Sequence, residues 1–240
     1  MKQIIAMHGW SGSSYDWEEW KELFEEKGWI WQSGERGYGL NKPFTPQWLN
    51  NERGKEDRIN SRTIIAHSLG AHLLNKEILL KASNFIFLSS FSSFIPKSGE
   101  TRALKAGLKG MKMALGTKNE KSMLLSFFKK ACHPISITNM RYNPIIDELK
   151  EEGRKKLLND LNLLIDSDGL PKGIPRRAKV LVIDSPEDLI ILPNTRKMLI
   201  NDLKSHLIQP ITHWSIHGAG HALLQPRVKK DVLNWVESCN

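Results

Sequence analysis

Cysteine is scarce in this 240-residue chain: only Cys132 and Cys239 occur, and they lie far apart. Neither a disulfide framework nor a zinc site is therefore predicted. No apolar run approaches the roughly 20 residues that a membrane-spanning helix requires, and the first residues lack the cleavage site of a secretory signal peptide. These absences predict a cytoplasmic protein, and the length predicts one domain with an inserted subdomain.

Positive charge is concentrated in one part of the chain. The formal net charge is +9, and residues 97–179 contain 18 Lys or Arg and 9 Asp or Glu, whereas the remainder contains 17 of each sign. This distribution predicts a positive surface for an acidic partner, although a basic excess is also a common solubility feature. Nucleic acid is not predicted as that partner, because no nucleic-acid-binding motif is present.

Short apolar runs alternate with helical patterns through most of the chain. Strands are predicted at residues 3–7, 29–32, 63–67, 85–88, 179–183 and 214–216, and helices at 16–26, 71–80, 195–203 and 227–236. Residues 34–58 are predicted to form a loop with a turn of helix near Trp48. The alternation predicts an α/β fold with a mostly parallel central sheet flanked by helices on both faces.

Residues 96–175 interrupt this alternation with helical patterns alone. The first predicted helix is amphipathic, with an apolar face formed by Leu104, Leu108, Met111 and Leu115. Its opposite face carries the basic stripe Arg102, Lys105, Lys109 and Lys112. A second helix is predicted around residues 123–128 and a third after Pro144. We therefore expect an all-helical lid, residues 96–175, inserted into a core formed by residues 1–95 and 176–240.

A candidate nucleophile follows the strand predicted at residues 63–67. Ala66-His67-Ser68-Leu69-Gly70 is a Gly-x-Ser-x-Gly elbow with alanine in the first glycine position. Acyl-transfer chemistry needs the serine on a tight turn between strand and helix. There its hydroxyl projects above the sheet, and the backbone N–H of the next residue faces the developing oxyanion. Ser68 is the predicted nucleophile, although a serine that caps a helix would have a similar local sequence.

An acid and a histidine follow in the order Ser, acid, His that this kind of site requires. Asp188, a few residues beyond the strand predicted at 179–183, is the favoured acid, with Glu187 and Asp184 as alternatives. His221, in a glycine-bearing loop after the last strand, is the favoured general base, and His217 is the alternative. A carboxylate that fixes the histidine tautomer lets the imidazole take the serine proton and return it to the leaving group.

The second oxyanion donor is expected in the turn after the first strand. His8-Gly9-Trp10-Ser11-Gly12 occupies that turn. The backbone N–H groups of Trp10 and Leu69 are the predicted pair of donors to the oxyanion.

In these features the sequence resembles the α/β-hydrolase superfamily over nearly its whole length. Within that superfamily it is most similar to the pimeloyl-[acyl-carrier protein] methyl ester carboxylesterases of biotin synthesis, which share His-Gly-Trp, a His/Trp-Ser-Leu-Gly elbow and a basic helical lid. Three departures from that family are Ala66, Ser185 in place of a glycine before the acid, and one additional residue between Asp188 and Pro193.

The resemblance implies the α/β-hydrolase fold, with the lid inserted before the acid-bearing strand. It also implies an ester hydrolase that needs no metal or organic cofactor, with Trp10 at the substrate. The acidic acyl carrier protein would be the partner, contacted by Arg102, Lys105, Lys109 and Lys112. Two alternatives are a generic short-chain or lipid carboxylesterase and a non-catalytic ligand-binding protein on the same fold.

Overall fold

Six parallel strands form a single sheet at the centre of the computed structural model, which describes residues 1–50, 61–99, 101–139, 145–223 and 225–239. The strand order is β2-β1-β3-β4-β5-β6, and every neighbouring pair is parallel. The strands are β1 (Lys2–Met7), β2 (Ile30–Gly34), β3 (Ser61–His67), β4 (Asn84–Leu88), β5 (Lys179–Asp184) and β6 (Thr212–Ser215). All six predicted strands are present, and their ends differ from the predicted ones by no more than two residues.

Alternating side chains of the buried strands supply two separate cores, one on each face of the sheet. From β1, Ile5 and Met7 join the cluster that packs against α3 (Lys76–Leu80) and α8 (Pro193–His206). Ile4 and Ala6 point the other way, toward α1 (Glu18–Glu25) and α9 (Pro226–Ser238). The sheet is therefore covered by helices on both faces, as the sequence predicts.

The helix predicted over residues 71–80 is instead two short helices. α2 (Gly70–Leu73) ends before Leu74, whose backbone is extended, and α3 begins after Asn75. The Asn75 side chain accepts the backbone N–H of Ile78 at 3.1 Å. Asparagine favours this capping position over a helix interior, which explains the break.

The predicted turn of helix near Trp48 is wrong. Residues 45–50 have no regular secondary structure, and residues 51–58 of the predicted loop lie outside the described residues. The Trp48 side chain packs into the core, and its indole N–H donates to the Ile78 carbonyl at 2.9 Å. Burial of the large ring fixes this segment without a helix.

Among the described residues, four α-helices connect β4 to β5, where the sequence predicts only helical structure. They are α4 (Arg102–Ala114), α5 (Glu120–Cys132), α6 (Ile145–Glu148) and α7 (Glu151–Asp166). We call these four helices the helical insertion. A third apolar cluster joins them to the loops above the sheet, including Trp10, Tyr38 and Phe91 of those loops and Leu108, Phe128 and Leu161 of the insertion. No described helix is long and apolar enough to cross a bilayer.

Candidate active site

Ser68 lies in a strained turn at the carboxyl end of the sheet. β3 ends at His67 and α2 begins at Gly70, and Ser68 between them has a φ of 53°, in the left-handed region. Left-handed backbone is uncommon for a residue with a β-carbon and persists only where the surroundings hold it. The Ser68 N–H donates to the Leu88 carbonyl at 2.9 Å, and the Ser90 hydroxyl donates to the Ser68 carbonyl at 2.7 Å. Both partners come from the end of β4, so the neighbouring strand holds the elbow.

His221 and Asp188 form a buried hydrogen-bonded pair beside the same cavity that Ser68 lines. The distance from His221 Nδ1 to Asp188 Oδ2 is 2.9 Å, and the two side chains are 3% and 0% exposed. Asp188 Oδ1 accepts the backbone N–H groups of Ile190 and Ile191 at 2.7 and 2.9 Å. Burial alone raises the pKa of Asp188, but His221 and these two N–H groups outweigh it, so the net pKa is lowered. An ionised Asp188 requires hydrogen on Nδ1, which leaves His221 Nε2 to accept a proton.

The alternative acids and the alternative base make other contacts. Asp184 Oδ2 lies 2.9 Å from Nε2 of His213 on the edge strand β6. Glu187 accepts the Ser185 hydroxyl at 2.8 Å and the Gly218 N–H at 3.1 Å. His217 is 82% exposed, and its Nδ1 lies 3.5 Å from Glu187. The geometry therefore pairs His221 with the favoured carboxylate Asp188.

The turn after β1 lies directly against the elbow. A β-carbon added to Gly9 would lie 2.8 Å from the Ser68 β-carbon, so only glycine permits this approach. Trp10 follows in that turn and lines the cavity, and Leu69 is fully buried directly after Ser68. The two predicted oxyanion donors thus belong to segments that meet at Ser68.

His67 also lines the cavity, and it is uncharged at neutral pH. The pKa of His67 is lowered to about 4, mainly by burial and to a smaller extent by the nearby His221 ring. The two ring centroids are 4.9 Å apart, and His67 Nε2 lies 3.0 Å from the His221 carbonyl oxygen. A neutral His67 donates its Nε2 hydrogen to that carbonyl, which helps to hold the backbone of His221.

The cavity above Ser68 has a volume of about 370 Å³ and mainly apolar walls. Residues of α5 and the segment after it form one wall, namely Phe127, Phe128, Ala131 and Ile135. The turns and helices of the core contribute further apolar lining residues, namely Trp10, Trp17, Trp20 and Leu223. Such a pocket suits an apolar group of a small ligand, placed beside the polar side chains of Ser68 and His221.

The helical insertion is attached to the loops that surround the site. The Asp160 carboxylate of α7 accepts two hydrogen bonds from the Arg36 guanidinium, at 2.7 and 2.6 Å. It also accepts one from the Tyr38 hydroxyl at 2.5 Å. Burial, together with the Asp160 charge, raises the pKa of Tyr38 well above its ordinary value. The Trp10 indole N–H donates to the carbonyl of Leu157, also on α7, at 2.8 Å. α7 is therefore bound directly to the predicted oxyanion turn.

α5 is attached to the loop that carries His221. The Ala222 N–H donates to the Ala131 carbonyl at 2.9 Å. Gly220 has a φ of 62°, and a β-carbon there would lie 1.7 Å from the His133 carbonyl oxygen. Both the conformation and the close approach require glycine immediately before His221. The end of α5 thus contacts the residues on either side of the predicted base.

The basic stripe lies on the outer face of the helical insertion. Leu108 of α4 is buried and Leu104 and Met111 are partly buried, as the amphipathic pattern predicts, while all four stripe residues are exposed: Arg102, Lys105, Lys109 and Lys112. The described residues that line the cavity include none from α4. The structure therefore brings together Ser68, His221, Asp188, Trp10 and Leu69, and leaves the stripe apart from them.

The fold is similar to that of several solved enzymes. An esterase from Exiguobacterium antarcticum matches with a TM-score of 0.69 at 15% identity, over 99% of this chain and 92% of that one. A bromoperoxidase from Bacillus anthracis matches at 0.65 and 16% identity, over 99% and 90% of the two chains. The chain has the α/β-hydrolase fold. A monoacylglycerol lipase from Paleococcus ferrophilus shares this α/β-hydrolase fold at a TM-score of 0.55 and 14% identity, over 99% and 95%. No protein-family model and no curated protein matches the sequence.

Several residues at this site were not predicted from the sequence. Ser90 supports the elbow, and Phe127 and Phe128 form a wall of the cavity. A serine pair directly after a predicted strand end was the available signal for Ser90, because the carboxyl ends of parallel strands meet at one edge. The two phenylalanines follow the helical spacing of ordinary core residues and carry no separate signal.

Proposed function

We propose that this protein is a serine carboxylesterase that acts through an acyl-enzyme on Ser68. The observation that carries the proposal is the buried His221–Asp188 pair beside a serine held in a left-handed elbow, at the floor of one apolar cavity. Each of these three features reduces the stability of a fold, and a nucleophilic serine hydrolase uses all three.

The proposed reaction follows from the positions of these groups. Ser68 Oγ attacks the ester carbonyl carbon while its proton passes to His221 Nε2, and Asp188 stabilises the imidazolium that forms. The backbone N–H groups of Trp10 and Leu69 donate hydrogen bonds to the negatively charged oxygen of the tetrahedral intermediate. His221 then gives the proton to the departing alcohol oxygen, which leaves the acyl group on Ser68. Water then attacks the acyl group while His221 takes one of its protons. His221 returns that proton to Ser68 Oγ, which releases the carboxylic acid.

The specific substrate that we propose is the methyl ester of a pimeloyl group carried on acyl carrier protein. The proposal draws on the sequence resemblance to the esterases of biotin synthesis and on the exposed stripe of α4. A small acidic carrier would dock on the helical insertion through that stripe, while its acyl chain enters the cavity that α5 lines. In this proposal residues 96–175, which include the helical insertion, serve as the lid of the active site.

The first experiment tests the chemistry. Ser68→Ala and His221→Gln should each lower kcat for a short-chain methyl ester by at least about 10³, as the loss of a nucleophile or base does in such enzymes. His217→Gln is the matched control, because His217 is exposed, and it should retain wild-type turnover. A Ser68→Ala variant with a tenth of wild-type activity would exclude the proposed mechanism.

The second experiment tests the carrier. Lys105→Glu with Lys109→Glu should raise KM strongly for pimeloyl methyl ester on acyl carrier protein, with little change for the free methyl ester. Lys197→Glu with Lys204→Glu changes the net charge equally on exposed positions of α8 and should leave both substrates unaffected. Raising the salt concentration from about 0.05 M to about 0.5 M should weaken only the carrier-linked reaction, because exposed charges are screened.

The pattern across substrates separates the candidate functions. Equal losses on both substrates in the α4 variant would indicate a misfolded insertion, and the insertion's fold would then be checked by circular dichroism. No selective effect in a folded variant would assign the enzyme to the generic carboxylesterases, with the stripe as a solvated helix face. Binding of the ester without any turnover by the wild type would identify a ligand-binding protein on this fold.

A further inference from the structure

Two side chains of the segment after β5 hold the backbone of the loop between β6 and His221. Gly218 and Gly220 have φ values of 73° and 62°, so the chain passes twice through the left-handed region within four residues. The Gly218 N–H donates to Glu187 Oε2 at 3.1 Å, and the Gly220 N–H donates to Ser185 Oγ at 3.0 Å. Both acceptors belong to the segment that leads from β5 to Asp188.

Ser185 is the centre of this arrangement. It is fully buried, and its hydroxyl donates to Glu187 Oε2 at 2.8 Å while accepting the N–H groups of Gly220 and Glu187 at 3.0 and 3.3 Å. A serine hydroxyl has one hydrogen and two acceptor lone pairs. Every hydrogen-bonding capacity of Ser185 Oγ is therefore used: the two bonds with Glu187 order the acid loop, and the bond from Gly220 connects this loop to the histidine loop.

Glu187 completes the connection as an ionised acceptor. Its pKa is lowered, first by the Ser185 hydroxyl and then by the Gly218 N–H and His217, although partial removal from water acts in the opposite direction. At neutral pH the carboxylate therefore carries the charge that strengthens both hydrogen bonds. Glu187, one of the alternative acids in the sequence, thus has a contact set of its own next to Asp188.

We propose that Ser185 and Glu187 are positioning residues for His221, a role that rests on the proposed esterase reaction. They fix the backbone of the residues before His221, while Asp188 fixes its ring and the Ala131 carbonyl fixes the residue after it. Catalysis is sensitive to displacements of about 1 Å in such a group.

The first test compares turnover with substrate binding. Ser185→Ala removes the acceptor of the Gly220 N–H, and kcat for a short methyl ester should fall between about 10-fold and about 100-fold, with KM unchanged within about twofold. Ser205→Ala is the matched control, because that exposed hydroxyl donates only to the Asn201 carbonyl on α8. The control should retain wild-type kcat. A Ser185→Ala kcat within about twofold of wild type would overturn the proposal.

A second pair of variants applies even if Ser185→Ala does not fold. Glu187→Gln keeps an oxygen that can accept from both Ser185 and Gly218, whereas Glu187→Ala removes it. We expect Glu187→Ala to lose about 10-fold in kcat and Glu187→Gln to recover most of that loss. Glu77→Ala, an exposed glutamate on α3, is the control for removing a charge. Equal kcat values for all three Glu187 forms would contradict the positioning role.

A spectroscopic readout separates this proposal from the proposed function. Long-range ¹H–¹⁵N spectra report the environment and tautomer of the His221 ring without requiring turnover. Ser185→Ala and Glu187→Ala should shift the His221 Nδ1 signal, whereas Ser205→Ala should not. If the wild type showed no esterase activity, the esterase function would fail, and the His221 signal would still decide whether these residues position the ring. An unchanged Nδ1 signal in both folded variants would overturn the proposal.

Discussion

His221 Nδ1 and Asp188 Oδ2 are 2.9 Å apart, and both side chains are shielded from solvent. Asp188→Asn keeps the shape of this pair but replaces the carboxylate with an amide that favours the wrong imidazole tautomer. We expect kcat to fall by about 10⁴. Asp184→Asn is the control, because Asp184 contacts His213 on the edge strand, and its kcat should stay near wild type. The reverse ranking in steady-state kinetics would identify Asp184 as the acid.

Ser90 offers a test of the elbow that leaves the reacting groups in place. Ser90→Ala removes the hydroxyl that donates to the Ser68 carbonyl. Loss of one buried hydrogen bond should reduce the free energy of unfolding by about 1–2 kcal/mol, and a less restrained Ser68 should lower kcat by about 10-fold. Urea denaturation and initial rates measure the two effects. A variant that is destabilised but fully active would show that the elbow does not depend on Ser90.

The ion pair between α7 and the core should contribute strongly to stability. Asp160→Ala leaves Arg36 and the buried Tyr38 hydroxyl without their acceptor, and we expect a loss of about 3 kcal/mol in the free energy of unfolding. This lies at the low end for a buried pair, because the Arg36 side chain is 33% exposed. Asp168→Ala removes an exposed partner of Lys97 and should leave the free energy of unfolding almost unchanged. Equal losses for the two variants in urea denaturation would contradict this ranking.

Glu35 should make the stability depend on pH in the acid range. Burial alone raises its pKa, but His8 and the backbone N–H groups of Ser14 and Gly37 outweigh it and lower the pKa from 4.5 to about 2. A carboxyl with a lowered folded pKa stabilises the protein fully above its unfolded pKa and loses that contribution as the pH falls through the folded pKa. The ionised group should therefore contribute on the order of 3 kcal/mol near neutral pH.

The measurement compares wild type with Glu35→Gln from pH 7 to pH 3. The difference in free energy of unfolding should be constant above about pH 5, where even the unfolded carboxyl is mostly ionised, and should narrow steadily below pH 4.5. Glu77→Gln, on the exposed surface of α3, supplies the baseline. A difference that stays constant down to pH 3 would show that Glu35 is not a stabilising ionised group.

The sheet and the elbow could be predicted because their signals are local. The β-branched run that ends at His67, followed by Ser68 and a small residue, specifies strand, turn and helix within a few positions. The sequence does not predict the break at Asn75, because the helical pattern continues on both sides of the residue whose side chain caps α3. The choice among Asp184, Glu187 and Asp188 depends on how the loop after β5 faces the loop after β6. That relation joins residues about 30 positions apart, and spacing along the chain does not encode it.

The helical insertion makes two of its contacts with the site through its own main-chain carbonyls, those of Leu157 and Ala131. A main-chain acceptor is present whatever side chain its residue carries. Side chains such as Phe127, which face the cavity, can therefore be exchanged without removing these two attachments. If the proposed esterase activity holds, directed evolution of the cavity wall should change which acyl groups are accepted while the reacting groups keep their alignment.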